Sequence, residues 1–181
     1  TDEEIRLVAD TGTSVVHCPE SNLKLASGFC PVEALRLAGV NLALGTDGAA
    51  SNNDLDMLGE LRTAALLAKG VAGAADALPA AAALEMATLG GARALGLDQQ
   101  IGSLVRGKQA DFIAIDLGAI ETQPVFDPLA HVVYAVSRHQ VTHSWVAGRC
   151  LMAERELKTL NEARVLRDAH AWGEKIAGDA K

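Results

Sequence analysis

A chain of 181 residues with a net charge of −7 and only 3% aromatic residues argues against a nucleic-acid partner, which calls for a basic face and stacking platforms. Hydrophobic residues make up 49%, enough for a buried core, yet no run of about 18 apolar positions predicts a membrane span. Three cysteines, Cys18, Cys30 and Cys150, lack the CxxC spacing of a zinc knuckle or disulfide framework, and are expected to be small buried hydrophobes in a cytoplasmic protein.

Thr1 ahead of Asp2, Glu3 and Glu4 predicts a capped helix over residues 1–10. No initiator Met or signal sequence precedes it, so the chain is expected to begin inside a larger fold. Residues 14–18, β-branched and ended by Pro19, predict a short buried strand. Residues 20–30 are polar and contain Gly28, which predicts a loop. Pro31 opens a helix that Gly39 ends, and residues 41–45 form a second apolar strand with Thr46-Asp47-Gly48 at its C-terminal end. Short apolar strands alternating with helices predict an α/β fold with a parallel sheet. Periodicity leaves a (β/α) barrel and a doubly wound sheet both open.

Residues 51–54 (SNND) read as the Asx-type cap of a helix over residues 54–69, followed by a loop over residues 70–76. A second helix spans residues 79–89 and is closed by Gly90-Gly91, and a short third one spans residues 92–97. The texture changes after about residue 98. A strand covers residues 112–115, and residues 132–136 fit helix or strand equally. Residues 140–147 alternate, with Val141, His143, Trp145 and Ala147 on one side of a half-buried strand. Gly148-Arg149 turns the chain into residues 150–152, and Thr159 or Asn161 caps a last helix to about residue 176.

Asp47 is the sharpest candidate. A carboxylate at the C-terminal end of a parallel strand stands where α/β folds place their chemistry. Flanking Gly45 and Gly48 let a ligand approach the backbone, and an anion there can hold a metal or take a proton from water. The plainer reading is a turn, since Asp-Gly is a common turn pair. His17 ends the other strand and should face the same rim; it is read as a satisfied strand histidine in preference to a ligand. Ser21 and Asn22 read as loop-forming groups, and Ser51 as part of a cap. His17, Asn22 and Ser51 are kept as weaker candidates beside Asp47. His131, His139, His143 and His170 lack ligand spacing and read as structural or surface residues. No Walker loop, GxGxxG, GxSxG or HExxH is present, so phosphate, dinucleotide and serine-hydrolase chemistry have no support.

HCPESNLKLASG (residues 17–28) followed by VNLALGTDGAASNNDLDM (residues 40–57) resembles strands seven and eight of the amidohydrolase superfamily, in its chlorohydrolase/deaminase branch. IGSLVRGKQADFIAID (residues 101–116) resembles that family's G-x-[IL]-x-x-G-K-x-A-D return strand, and VTHSWVAGR (residues 141–149) its closing hairpin. The resemblance implies the C-terminal portion of a TIM-type (β/α)8 barrel plus part of a small composite β-sandwich. It places the last barrel strands and helices in residues 1–98, the sandwich return in residues 99–158 and a C-terminal helix in residues 159–181. It also implies one divalent metal, zinc, held by an HxH pair after strand one, a His after strand five and an Asp after strand eight. Asp47 is then the strand-eight Asp: metal ligand, catalytic group and substrate contact.

No HxH pair occurs in the chain, and by element count strands one to six precede Thr1. The resemblance therefore implies part of a zinc hydrolase that deaminates the adenine ring of a small purine nucleoside, releasing ammonia and inactive without its N-terminal barrel half. Related enzymes of guanine or other aminated or chlorinated heterocycles, and a non-catalytic or split-enzyme fragment, remain alternatives. Self-association into a homo-oligomer stays open.

Overall fold

The computed structural model describes residues 1–179. Helix α1 (Asp2–Asp10) starts from a capping box in which the Glu4 amide donates to the Thr1 hydroxyl and the Thr1 nitrogen donates to the Glu4 carboxylate. Strand β1 (Val15–His17) then runs parallel to β2 (Leu42–Leu44), with Val15 opposite Leu42 and His17 opposite Leu44. The connection passes through α2 (Pro19–Lys24) and α3 (Val32–Leu37). Helix α2 corrects the loop expected from residue 20 onward. Proline loses nothing at a first helical position, and Glu20 and Lys24 complement the two ends of the helix dipole. Gly39, at a φ of +79°, ends α3 as expected.

After β2 comes a single turn, α4 (Ala49–Asn52), and then the long α5 (Met57–Ala72). The cap expected at residues 51–54 lies elsewhere: the Asp56 carboxylate accepts from the Leu58 amide at 3.0 Å. Gly73, left-handed, closes α5 three residues beyond the expected end. Helix α6 (Ala80–Glu85) was expected to stop at Gly90-Gly91. Instead it widens into a π turn (Met86–Gly90) and continues as α7 (Gly91–Ala94). Gly90 keeps a helical backbone, and a Cβ on it would strike the Leu42 carbonyl oxygen. Close approach to β2 explains that glycine, and helix termination does not.

Strand β3 (Phe112–Ile115), helix α8 (Pro128–Tyr134), strands β4 (Val141–Val146), β5 (Arg149–Ala153) and β6 (Glu156–Leu157), and helix α9 (Glu162–Asp179) complete the described residues. Residues 180 and 181 of the expected C-terminal helix segment lie outside them. The four strands form one antiparallel sheet in sequence order. Residues 132–136, open between helix and strand, are mostly α8. Asp127 caps it by accepting from the amides of Leu129 and Ala130, and Val133 is fully buried. The hairpin turn falls on Ala147 and Gly148, both at positive φ, one residue earlier than the expected Gly148-Arg149, because Arg149 already pairs with Val146 in the sheet. Trp145 stacks on its cross-strand neighbour Phe112 at 4.5 Å between ring centres. Residues 141–145 are half-buried as expected, and His143 stacks on Trp145 on one face of the strand, at 5.3 Å between ring centres.

One core joins these helices to β2: Val32, Leu35, Leu42, Leu44, Leu61, Leu78 and Val133 pack together. None of the three cysteines is fully buried, contrary to expectation; each is half-covered. No described helix is long and apolar enough to cross a membrane.

One charged clamp reaches across this core. Arg36 grips Glu33 through two hydrogen bonds of 2.9 and 2.7 Å, and Glu33 also accepts from the Leu78 amide at 2.9 Å. The Arg36 guanidinium holds the Glu33 carboxyl down to about 2. A carboxyl depressed in the folded state adds stability that is present above its unfolded pKa and lost on acidification. Glu33→Gln should therefore lower the melting temperature at neutral pH by a few degrees, a loss of about 1 kcal/mol, the modest value expected of a partly exposed pair. The difference from the parent protein should fade between about pH 4.5 and about pH 2 in a pH series of thermal melts. A gap that persists unchanged at pH 2 would contradict this assignment.

Candidate active-site rim

Both parallel strands end at one rim. The Gly45 amide donates to the His17 carbonyl at 3.0 Å and carries the pairing one residue past β2. A side chain at Gly45 would press on Val16 and Cys18, with a Cβ only 3.2 Å from Val16 Cγ1 and 3.3 Å from Cys18 Sγ. Two residues later the backbone enters the left-handed region, at a φ of +61° for Asp47. Aspartate tolerates that conformation better than most residues, and non-glycine residues held there concentrate at functional sites.

The Asp47 carboxylate is exposed, and it is held from two sides. The hydroxyls of Ser21 and Ser51 both donate to its Oδ2, at 2.8 and 2.7 Å. Neither hydroxyl touches Oδ1. The hydrogen bonds from Ser51 and Ser21, followed by the Gly48 amide, hold this carboxyl below the usual aspartate range, so it is anionic at neutral pH. The result is an exposed, anionic carboxylate whose Oδ2 is held by two hydroxyls.

Ser51, expected as a cap, is thus a direct partner of Asp47. Ser21, expected in a loop, sits buried on α2 with its hydroxyl aimed at the same oxygen. The signal for it was Pro19: taken as a first helical residue, it puts Ser21 in the first turn of a helix leaving the rim. Asn22 is placed on the same helix but contributes its backbone. Its amide donates to Cys18 and its carbonyl accepts from Ser27.

His17 departs from the satisfied histidine expected of it. The side chain is only 2% exposed, and Nδ1 is buried without a hydrogen-bond partner among the described residues. Burial lowers its pKa, which keeps the imidazole neutral. His17 and Glu20 have H-x-x-E spacing, but Glu20 turns away to accept from Thr63 on α5 at 2.9 Å.

Glu60 went unnoticed in the sequence. It is fully buried on α5, and desolvation raises its carboxyl to about 7. Its two oxygens accept from the Asn52 side chain at 2.5 Å and from the Glu20 amide at 3.1 Å. The available signal was helical: Glu60 shares the buried face of α5 with Leu61, Ala64, Ala65 and Ala68, a position where an unpaired charge is costly.

The described residues contain no group of three His, Cys, Asp or Glu able to hold a metal. His131, His139, His143 and His170 gather at no such centre among the described residues. Asp47 fits one corner of a metal site: it is anionic, exposed and oriented by two hydroxyls. A zinc site needs three or four protein ligands, so the remaining ones would come from outside these residues.

The sequence profile of the amidohydrolase family matches residues 1–151. The chain is 53% identical over 174 residues to a 5-methylthioadenosine/S-adenosylhomocysteine deaminase of Teredinibacter turnerae, covering 96% of the chain and 39% of that protein. A deaminase of the same description from Halobacterium salinarum is 51% identical, over 98% of the chain and 41% of that protein. The fold superimposes on a crystal structure of a zinc-bound adenosine deaminase from Xanthomonas campestris with a TM-score of 0.97 and 57% identity, covering 98% of the chain and 40% of that structure. A zinc complex of atrazine chlorohydrolase from Arthrobacter aurescens gives a TM-score of 0.88 at 28% identity, over 94% and 38%. The chain therefore spans about two fifths of the length of the relatives it matches, 39% and 41% for the two deaminases.

Proposed function

The chain belongs to the amidohydrolase family, and from that premise we propose that it forms the closing part of a zinc-dependent deaminase acting on adenine nucleosides with a thioether at the 5′ position. The observation that carries this reading is the Asp47 carboxylate, exposed and anionic at the end of a parallel strand with Oδ2 held by two serines. In this reading residues 1–98 are the last arc of a (β/α)8 barrel, residues 99–158 the return segment of a composite β-sandwich, and the described residues from 159 on a terminal helical segment. The bare edges of the two-stranded parallel sheet, beside an exposed Val16, support an arc that other strands continue.

A divalent metal at this rim would bring the pKa of water toward about 7. Asp47 would give one carboxylate oxygen to that metal. The same carboxylate takes the proton that the attacking water gives up, as water adds to C6 of the adenine ring, and returns it to the departing ammonia. Ser21 and Ser51 keep the carboxylate from turning away during that exchange. The neutral His17 at the neighbouring strand end adds no positive charge that would repel a metal cation.

Identity near 50% to thioether-nucleoside deaminases, against 28% to a chlorohydrolase, supports the nucleoside over the triazine. The test is ammonia release by the complete protein from 5′-methylthioadenosine, S-adenosylhomocysteine, guanine and a chlorotriazine. The two thioether nucleosides should be preferred by at least about a hundredfold in kcat/KM, since a pocket shaped for one ring system leaves polar groups unpaired with another. Faster turnover of guanine, or chloride release from the triazine, would overturn the substrate assignment.

A further inference from the structure

We propose that Glu60 is a positioning residue for Asp47: one buried carboxyl anchors both segments whose serines hold the Asp47 carboxylate. The inference rests on the reading of Asp47 given above.

The two donors that Glu60 holds each stand next to one of those serines in the chain. Oε2 takes the amide of Glu20, the residue before Ser21. Oε1 takes the side-chain amide of Asn52, the residue after Ser51. Asn52 is fixed at its other end too, because its Oδ1 accepts from the Leu55 amide at 2.7 Å. Glu20 is tied a second time by Thr63 at 2.9 Å, again on α5. Lys24 closes the frame by donating to the Ala50 carbonyl at 2.7 Å and to the Asn53 side chain. Helix α2 and the turn α4 thus reach Asp47 as one block seated on α5, and Glu60 is the group they share.

The carboxyl is chemically suited to that task. Both incoming groups are N–H donors, and Glu offers an acceptor on each oxygen. Glutamine has the same shape and only one acceptor, so it keeps one segment and turns an N–H₂ donor toward the other. Glu60→Gln therefore frees one serine without opening a cavity.

The experiment uses the complete zinc-loaded protein and a mutant cycle. Glu60→Gln should lower kcat by about tenfold with little change in KM, as expected for a catalytic group displaced by a fraction of an ångström. It should also speed loss of zinc to a chelator by several-fold, a readout independent of turnover. In a Ser21→Ala/Ser51→Ala background, Glu60→Gln should change neither kcat nor zinc loss further, because nothing is left for it to position. Equal losses in both backgrounds would overturn the proposal and leave Glu60 a general packing group. Should Glu60→Gln fail to fold, Asn52→Leu poses the same question: its effect should vanish beside Ser51→Ala and persist beside Ser21→Ala, and any other pattern would overturn the proposal. Asp47→Asn is the control. If it keeps full zinc and full turnover, the reading of Asp47 itself fails, whatever Glu60 does.

Discussion

Asp47→Asn should reduce ammonia release by the complete protein by about a thousandfold or more, the scale seen when one member of a catalytic unit is removed. Asparagine keeps the size of aspartate and an oxygen for the Ser21 and Ser51 hydroxyls, so the rim should keep its shape. What disappears is the negative charge and one of the two carboxylate oxygens. Zinc content after dialysis should drop with activity, because a neutral amide is a much weaker ligand than a carboxylate. Melting temperature separates this result from misfolding and should stay close to that of the parent protein, since the side chain is exposed and leaves the core untouched. Full activity with full zinc in Asp47→Asn would remove the foundation of the deaminase assignment.

The sequence and the structure agree best where a single local rule decides. Gly39 ends α3 at a φ of +79°, which follows from backbone freedom alone. Long-range partners decided the rest. Ser21 looked like loop chemistry because residues 20–28 are polar, yet its role depends on a carboxylate 26 positions away. Glu60 went unnoticed because the donors it serves, Glu20 and Asn52, lie on two other segments. His17 pointed the other way: the expectation of a satisfied strand histidine rested on the general rule for buried polar groups, and its Nδ1 breaks that rule. The two hydroxyls and the carboxyl beneath them are therefore a tertiary feature. Strand alternation pointed to the rim, and packing of α2, α4 and α5 supplies its inner support.

The other large effect is expected far from the rim, at Gly90. In most helices glycine to alanine is a gain, by up to about 1 kcal/mol, because alanine loses less backbone freedom. Gly91→Ala should behave in that way, since the nearest atom to a new Cβ is the Met86 carbonyl oxygen at 4.0 Å. Gly90→Ala should do the opposite, although the two residues are adjacent and both helical. Its Cβ would fall on the Leu42 carbonyl oxygen, a backbone atom of a buried strand that no rotamer change can move aside. Relief requires the π turn to lift from β2. That shift would also strain the bond from the Asn41 side chain to the Gly90 carbonyl, now 3.1 Å. We expect a loss of about 3 kcal/mol, the range of overpacked cores, and a fall in melting temperature of roughly 6 to 12 °C for a domain of this size. The effect should reach function, because β2 carries Asp47 three residues beyond Leu44 and any tilt of the strand displaces the carboxylate from the Ser21 and Ser51 hydroxyls. Gly90→Ala should therefore lose zinc more readily than Gly91→Ala even at temperatures where both remain folded. If the two variants melt together and keep zinc equally, the contact between the π turn and β2 is looser than described, and the strand that presents the carboxylate takes its position from other neighbours.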